Sequence, residues 1–144
     1  MSRPLLIADG AGLSTGPVGD RTQEVLARSL WAHGRDVRGM EALAAMAVNR
    51  RNTRPGATLA GVATDPTLFA AWDAADGRHG AMLRVDSCDP RFAAALRIAR
   101  RAMAGAADLV AGATRFVEDT ADLPGWAWDQ TPVAMLSGFN FYKG

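Results

Sequence analysis

The chain of 144 residues has the length and composition of a single globular domain. Hydrophobic residues make up 49% and charged residues 22% of the sequence, a balance that excludes an intrinsically disordered chain. The 16 Lys and Arg residues against 15 Asp and Glu residues give a net charge of +1, so the overall charge does not favour a nucleic acid or an anionic membrane as partner. No apolar run approaches the roughly 20 residues of a membrane span.

Residues 1–19 are rich in glycine and proline and show little periodicity. This composition predicts an N-terminal arm, with residues 20–144 as the folded domain. The apolar stretch Leu5–Ala8 ends at Asp9 and is shorter than the core of a secretory signal peptide, so we expect no signal peptide in this chain. The arm suits docking onto a protein partner, and the sequence leaves the localisation of the protein unknown.

Helical periodicity and capping signals predict four helices. Asp20 with Gln23 three residues later resembles a capping box. Asp89 followed by Pro90 is a strong helix start, because Asp caps a helix and Pro suits its first position. The predicted helices cover residues 20–33, 39–51, 58–63 and 90–104.

The rest of the chain predicts loops and short strands. Residues 73–80 are polar and rich in Asp and Gly, which is typical of a loop. Residues 112–117 have the branched and aromatic content of a short strand. Residues 118–144 predict loops with aromatic anchors and a final short strand. The fold class that follows is α+β, predominantly helical, in one domain.

Five segments, in order along the chain, resemble the SleB-type bacterial cell-wall hydrolases. They are LARSLWAHGR with GMEALAAMAVNR (residues 26–35 and 39–50), Asp65-Pro66 with Phe69–Trp72, residues 89–105, Gly112–Phe116, and Pro124–Trp126 with Gly138–Tyr142. The resemblance covers about residues 20–143 and implies a lysozyme-like domain. It also implies peptidoglycan glycan strands as substrate, cleavage between the amino sugars by hydrolysis or transglycosylation, and no cofactor.

The resemblance breaks down at the position of the family's catalytic glutamate. The matching segment here is Ala32-His33-Gly34-Arg35, which makes His33 the candidate catalytic acid. A histidine can carry a proton, but its imidazolium would repel the positive charge of an oxocarbenium-like transition state. A structural or sugar-contacting role for His33 is the alternative, and a buried ring with a satisfied hydrogen bond would favour it.

Two carboxylates could replace the missing glutamate. Asp36 lies just after His33 in the sequence, and Glu118 follows the predicted strand and could face a cleft. Three further polar positions of the family also differ, since Ala70 stands where the family has Ser, and Arg115 and Asn140 stand where it has His. A framework kept around altered polar positions is what a degenerate active site would look like.

Several retained or substituted positions are candidates for substrate binding. The aromatic side chains among them could stack on sugar rings, although they could equally close a small hydrophobic core. The candidates are Asn49, Trp72, Thr114, Arg115, Trp126, Asn140 and Tyr142.

Other kinds of site have little support. Cys88 is the single cysteine, and His79 lies in the predicted polar loop with no Cys or second His nearby, so we expect no metal site. No phosphate-binding glycine motif is present.

Two hypotheses remain about function. The first is a peptidoglycan-cleaving enzyme with an altered centre at His33, helped by Asp36 or Glu118. The second is a non-catalytic component of an envelope or phage-like assembly that binds glycan or another protein. A helical domain with no link to glycan is a third possibility, if the resemblance misleads.

Overall fold

The structure, a computed structural model, describes residues 18–144. Within this range five helices are followed by a small antiparallel sheet with the strand order β1-β3-β2, which confirms the predominantly helical α+β class. The predicted arm lies outside the described residues, except for Val18 and Gly19, which belong to the first helix. The elements are α1 (Val18–His33), α2 (Val37–Thr53), α3 (Leu59–Ala63), α4 (His79–Arg84), α5 (Pro90–Met103), β1 (Arg115–Glu118), β2 (Ala134–Leu136) and β3 (Phe139–Tyr142), with 3₁₀ turns at Ala70–Trp72 and Gly125–Ala127.

The helix boundaries follow local capping chemistry at two of the predicted starts. Thr58 caps α3 by accepting a hydrogen bond from the Gly61 amide, and Asp89 caps α5. The capping box predicted at Asp20 is wrong, because α1 begins two residues earlier at Val18. Its second member, Gln23, donates instead to the backbone oxygen of Leu96 on α5, at 3.0 Å.

Two elements depart from the sequence-based prediction. The predicted loop 73–80 runs into α4, so His79 is the first residue of a helix rather than part of a loop. This helix is short, and its one fully buried anchor, Met82, gives no readable periodicity. Strand β2 has no counterpart in the prediction, because its three residues form a strand only through pairing with β3.

Helix α1 lies at the centre of the fold. It contacts α2, α3, α4 and α5, and every residue from Val25 to Leu30 is buried. Leu26 and Leu30 are completely buried, as are Leu43 and Met46 on α2. A helical segment that is buried on all faces must satisfy its polar side chains inside the protein.

Arg28 shows how this is done. Its guanidinium donates hydrogen bonds to the backbone oxygens of Met82 and Val85, at 2.6 and 2.9 Å, and pairs with Glu24 at 2.9 Å. It also lies 5.1 Å from the centre of the Phe92 ring. One side chain thus links α1 to the end of α4 and to α5.

Replacing Arg28 with Ala should lower the free energy of unfolding by roughly 3–5 kcal/mol, because the substitution leaves two buried carbonyls and the Glu24 carboxylate without this partner. Urea denaturation of the purified domain measures this loss. Arg97→Ala, at an exposed position of α5, is the matched control and should change stability by less than about 0.5 kcal/mol. Equal effects of the two variants would contradict the linking role of Arg28.

Candidate functional site

His33 is the last residue of α1 and is enclosed by aromatic rings. Its side chain is 6% exposed. The ring centre lies 5.5 Å from that of Phe69 and 5.9 Å from that of Phe116, which meets it edge-on. We refer to His33, Phe69, Ala71, Arg78 and Phe116 as the His33 cage.

Both nitrogens of the His33 ring face N–H groups. The Ala71 amide donates to Nε2 at 3.2 Å, and a guanidinium nitrogen of Arg78 lies 3.1 Å from Nδ1. A neutral imidazole offers one acceptor nitrogen and an imidazolium offers none, whereas a guanidinium can only donate. An imidazolium, with an N–H at both ring nitrogens, would therefore face the Ala71 amide at Nε2 and the Arg78 guanidinium at Nδ1 without an acceptor at either.

The charge state of His33 follows from this enclosure. Burial in the cage, with a smaller contribution from the Arg78 charge, lowers the pKa of His33 from 6.5 to about 4, and Asp76 acts in the opposite direction. At neutral pH the ring is therefore uncharged. A neutral imidazole retains one N–H, but this proton is too weakly acidic to be delivered to a leaving oxygen.

Asp76 holds Arg78 in place. The two side chains form an ion pair with an N–O distance of 2.8 Å, and a second hydrogen bond of 2.9 Å joins the Arg78 Nε to the other carboxylate oxygen. Hydrogen bonds from Arg78 keep the pKa of Asp76 far below its usual range. The guanidinium beside His33 is thus fixed by a carboxylate that stays ionised.

Glu118 is the last residue of β1 and lies near the guanidinium groups of Arg35 and Arg78. One of its oxygens is 3.9 Å from the guanidinium of Arg35, which also lies 3.6 Å from Asp119. Hydrogen bonding with Asp76 is the main cause that raises the pKa of Arg78, and the Glu118 charge is near enough to raise it slightly further. The side chains of Arg35, Glu118 and Asp119 are all partly exposed, so Glu118 is accessible from solvent.

Asp36 has a different position. Its carboxylate accepts a hydrogen bond of 2.7 Å from the Gly39 amide and caps the start of α2. This interaction accounts for an acidic residue at that position.

A cavity of about 210 Å³ adjoins the cage. Phe116 belongs to both, because it contacts His33 and also lines the cavity. We refer to this cavity as the arginine pocket. Its lining consists of Arg50, Thr67, Leu68, Arg115, Phe116 and Trp126.

Four of the predicted binding residues surround the arginine pocket or support it. The Arg115 guanidinium lies 4.6 Å from the centre of the Trp126 ring, and Trp126 meets Tyr142 edge-on at 5.3 Å. Tyr142 is buried behind Trp126. Thr114 is buried too, and its hydroxyl accepts a hydrogen bond from the Gly144 amide at 3.1 Å.

The other three predicted binding residues are not in the pocket lining. The Asn49 side chain donates to the Ala113 oxygen at 3.1 Å, and the indole N–H of Trp72 donates to the Ser29 hydroxyl at 2.8 Å. Asn140 is half-buried in β3, opposite Val117 of β1. Each of the first two contacts ties separate parts of the chain together.

Residues 34–142, about three quarters of the chain, match the profile of a family described as Cell Wall Hydrolase. The chain belongs to the cell wall hydrolase family. Searches of curated proteins and of solved structures gave no significant match. The family's substrate is peptidoglycan, so this is a peptidoglycan-related hydrolase domain. The matched range begins directly after His33, and the correspondence of His33 with the family's catalytic glutamate therefore stays a prediction.

Two further findings about this cell wall hydrolase domain apply to residues 18–144, the range that the structure describes. No group of three or more His, Cys, Asp and Glu side chains in that range could hold a metal ion. None of its helices is long and apolar enough to cross a membrane.

Sequence reasoning misses the residues that define the chemistry of the site. No local pattern gives Arg78, Arg35 or Phe116 a role, because each acquires it through a contact with a distant part of the chain. Arg35, Arg50 and Phe116 do lie in segments that resemble the family, and this is the signal that the sequence offers for them.

The neutral state of His33 makes stability depend on pH. The folded pKa of about 4 lies below the ordinary value of 6.5, so the unfolded chain takes up the proton first. The stabilisation is fully present above pH 6.5 and is lost as the pH falls towards 4, by roughly 3 kcal/mol in total. His33→Gln, which cannot titrate in this range, should remove this part of the pH dependence of urea denaturation.

The matched control is His79→Gln, which removes the other histidine and should keep the slope that comes from His33. If the native chain and His33→Gln lost stability equally between pH 6.5 and 4, the buried neutral state of His33 would be contradicted.

Proposed function

We propose that this domain binds the glycan strands of peptidoglycan in the groove formed by the His33 cage and the arginine pocket, and that its ability to cleave them is lost or strongly reduced. Membership of the cell wall hydrolase family supports peptidoglycan as the ligand. The observation that carries the loss of activity is that both ring nitrogens of His33 face N–H donors.

Cleavage of a glycosidic bond needs a proton delivered to the leaving oxygen. His33 lacks that proton at neutral pH because its pKa is about 4. Its cage also leaves the ring 6% exposed, so a glycosidic oxygen has little access to either nitrogen. A structural role, in which the ring joins α1 to the segment around Ala71, accounts for both properties.

Glu118 is the carboxylate that could still act on a bound glycan. It is partly exposed and lies near Arg35 and Arg78. A carboxylate among cations suits stabilisation of a positive transition state better than donation of a proton. A reaction that needs both functions would then lack one of them.

The groove retains groups that suit a sugar ligand. Trp126 and Phe116 provide aromatic surface, and Arg115 provides hydrogen-bond donors around the same cavity. Aromatic faces and polar groups together are what carbohydrate binding requires. Binding without efficient cleavage is also compatible with a component of an envelope or phage-like assembly, in which the arm would contact a protein partner.

We expect the native chain to co-sediment with purified peptidoglycan and to release almost no soluble fragments between pH 4 and 9. Mass spectrometry of the supernatant measures release, and an active lysozyme on the same material is the positive control. Rapid release of reducing-end or anhydro-sugar fragments would contradict the proposed loss of activity. Failure to sediment would contradict peptidoglycan binding.

If slow cleavage is detected, Glu118→Gln should lower its rate by about 100-fold or more, because the carboxylate proposed to act on the glycan is then replaced by a neutral amide. The matched control is Asp119→Asn, which removes the neighbouring carboxylate of the same arginine and should change the rate by less than about twofold. Fragment release per hour is the measurement. Equal rates for the native chain and Glu118→Gln would show that Glu118 has no part in the reaction.

A further inference from the structure

The arginine pocket contains more positive charge than its neighbours balance. Arg50 and Arg115 both line it, and Arg50 is 7% exposed. An adjoining cavity of about 190 Å³ shares Arg50 and adds Arg54 together with one carboxylate, Asp65. Within residues 18–144, no carboxylate oxygen lies within 4.0 Å of a guanidinium nitrogen of these three arginines.

The positive charges of Arg50, Arg54 and Arg115 are close enough to affect one another. The pKa of Arg50 is lowered mainly by burial and further by the charges of Arg54 and Arg115, while Asp65 acts in the opposite direction. Arg50 donates a hydrogen bond of 3.0 Å to the Thr114 oxygen, which fixes its position without neutralising its charge. Like charges held together beside a cavity favour the binding of an anion there.

The position of the arginine pocket beside β1 indicates which kind of ligand would carry the anionic group. Arg115 and Phe116 are consecutive residues of β1, so their side chains point to opposite faces of the sheet. Both residues nevertheless line the pocket, which therefore lies beside β1. In the order β1-β3-β2, β1 is an edge strand, and edge strands are the strands to which an extended peptide can add.

We propose that the arginine pocket binds a carboxylate of the peptide stem of peptidoglycan, so that the domain prefers glycan strands that carry peptides over strands that lack them. This inference rests on the proposed function. A guanidinium matches a carboxylate through paired hydrogen bonds, and Arg115 is held over Trp126 where it can make them. The lactyl group of a muramic acid without its peptide is the other carboxylate that peptidoglycan offers.

Isothermal titration calorimetry with three soluble ligands separates these sources. They are peptide-bearing glycan fragments, the same fragments stripped of peptides by an amidase, and N-acetylglucosamine oligosaccharides of equal length, which carry no carboxylate. We expect the native chain to bind peptide-bearing fragments about 10-fold more tightly than stripped ones. Arg115→Gln should reduce this preference to about twofold, because a loss of sugar contacts would weaken both ligands equally and leave the ratio of their affinities unchanged.

Two further variants keep the test specific. Arg115→Lys retains the charge but not the paired hydrogen bonds and should give an intermediate preference. Arg97→Gln removes one exposed positive charge from α5 and should leave the preference unchanged. Circular dichroism of each variant establishes that it is folded.

Each of the other possible results of the titrations leads to a different conclusion. Equal affinity for peptide-bearing and stripped fragments, with weaker binding of the uncharged oligosaccharides, would assign the carboxylate to the sugar and overturn the proposed stem site. Equal affinity for all three ligands would overturn carboxylate recognition and leave the proposed function standing. Binding to none of them would contradict the proposed function itself.

Discussion

The burial of α1 is the constraint on which the rest of the structure depends. This helix has α2, α3, α4 and α5 around it, so the ionisable side chains of its buried part must find partners inside the protein. Arg28 does so through Glu24 and two backbone oxygens, and His33 does so at the end of the helix. The chemistry of the candidate site follows from the position of His33 inside the fold.

The His33 cage and the arginine pocket use positive charge in different ways. In the cage, Arg78 is paired with Asp76, and its guanidinium disfavours a proton on His33. In the pocket, Arg50 and Arg115 lack such a partner among the described residues. The first arrangement disfavours acid catalysis, while the second favours an anionic ligand. Phe116 contacts His33 and also lines the arginine pocket, so the two are neighbours in the structure.

Local sequence signals predicted much of the fold and less of the site. Asp89 caps a helix where expected, because a cap depends on residues within one turn. Strand β2 depends on pairing with β3, and the contact between Arg78 and His33 joins residues 45 positions apart. No local pattern encodes such contacts. The same reason explains why the sequence could not separate the aromatic candidates for substrate binding from those with a structural role. Trp126 lines the pocket, whereas the indole N–H of Trp72 donates to Ser29.

The central claim is that His33 is neutral and enclosed. Nitrogen NMR of the imidazole rings between pH 3 and 8 tests it most directly, with His33→Gln used to assign the signals. We expect the His33 nitrogens to keep the shifts of one neutral ring down to about pH 4. A titration of His33 near pH 6.5 or above would contradict the account, because the ring would then carry a proton that it could donate.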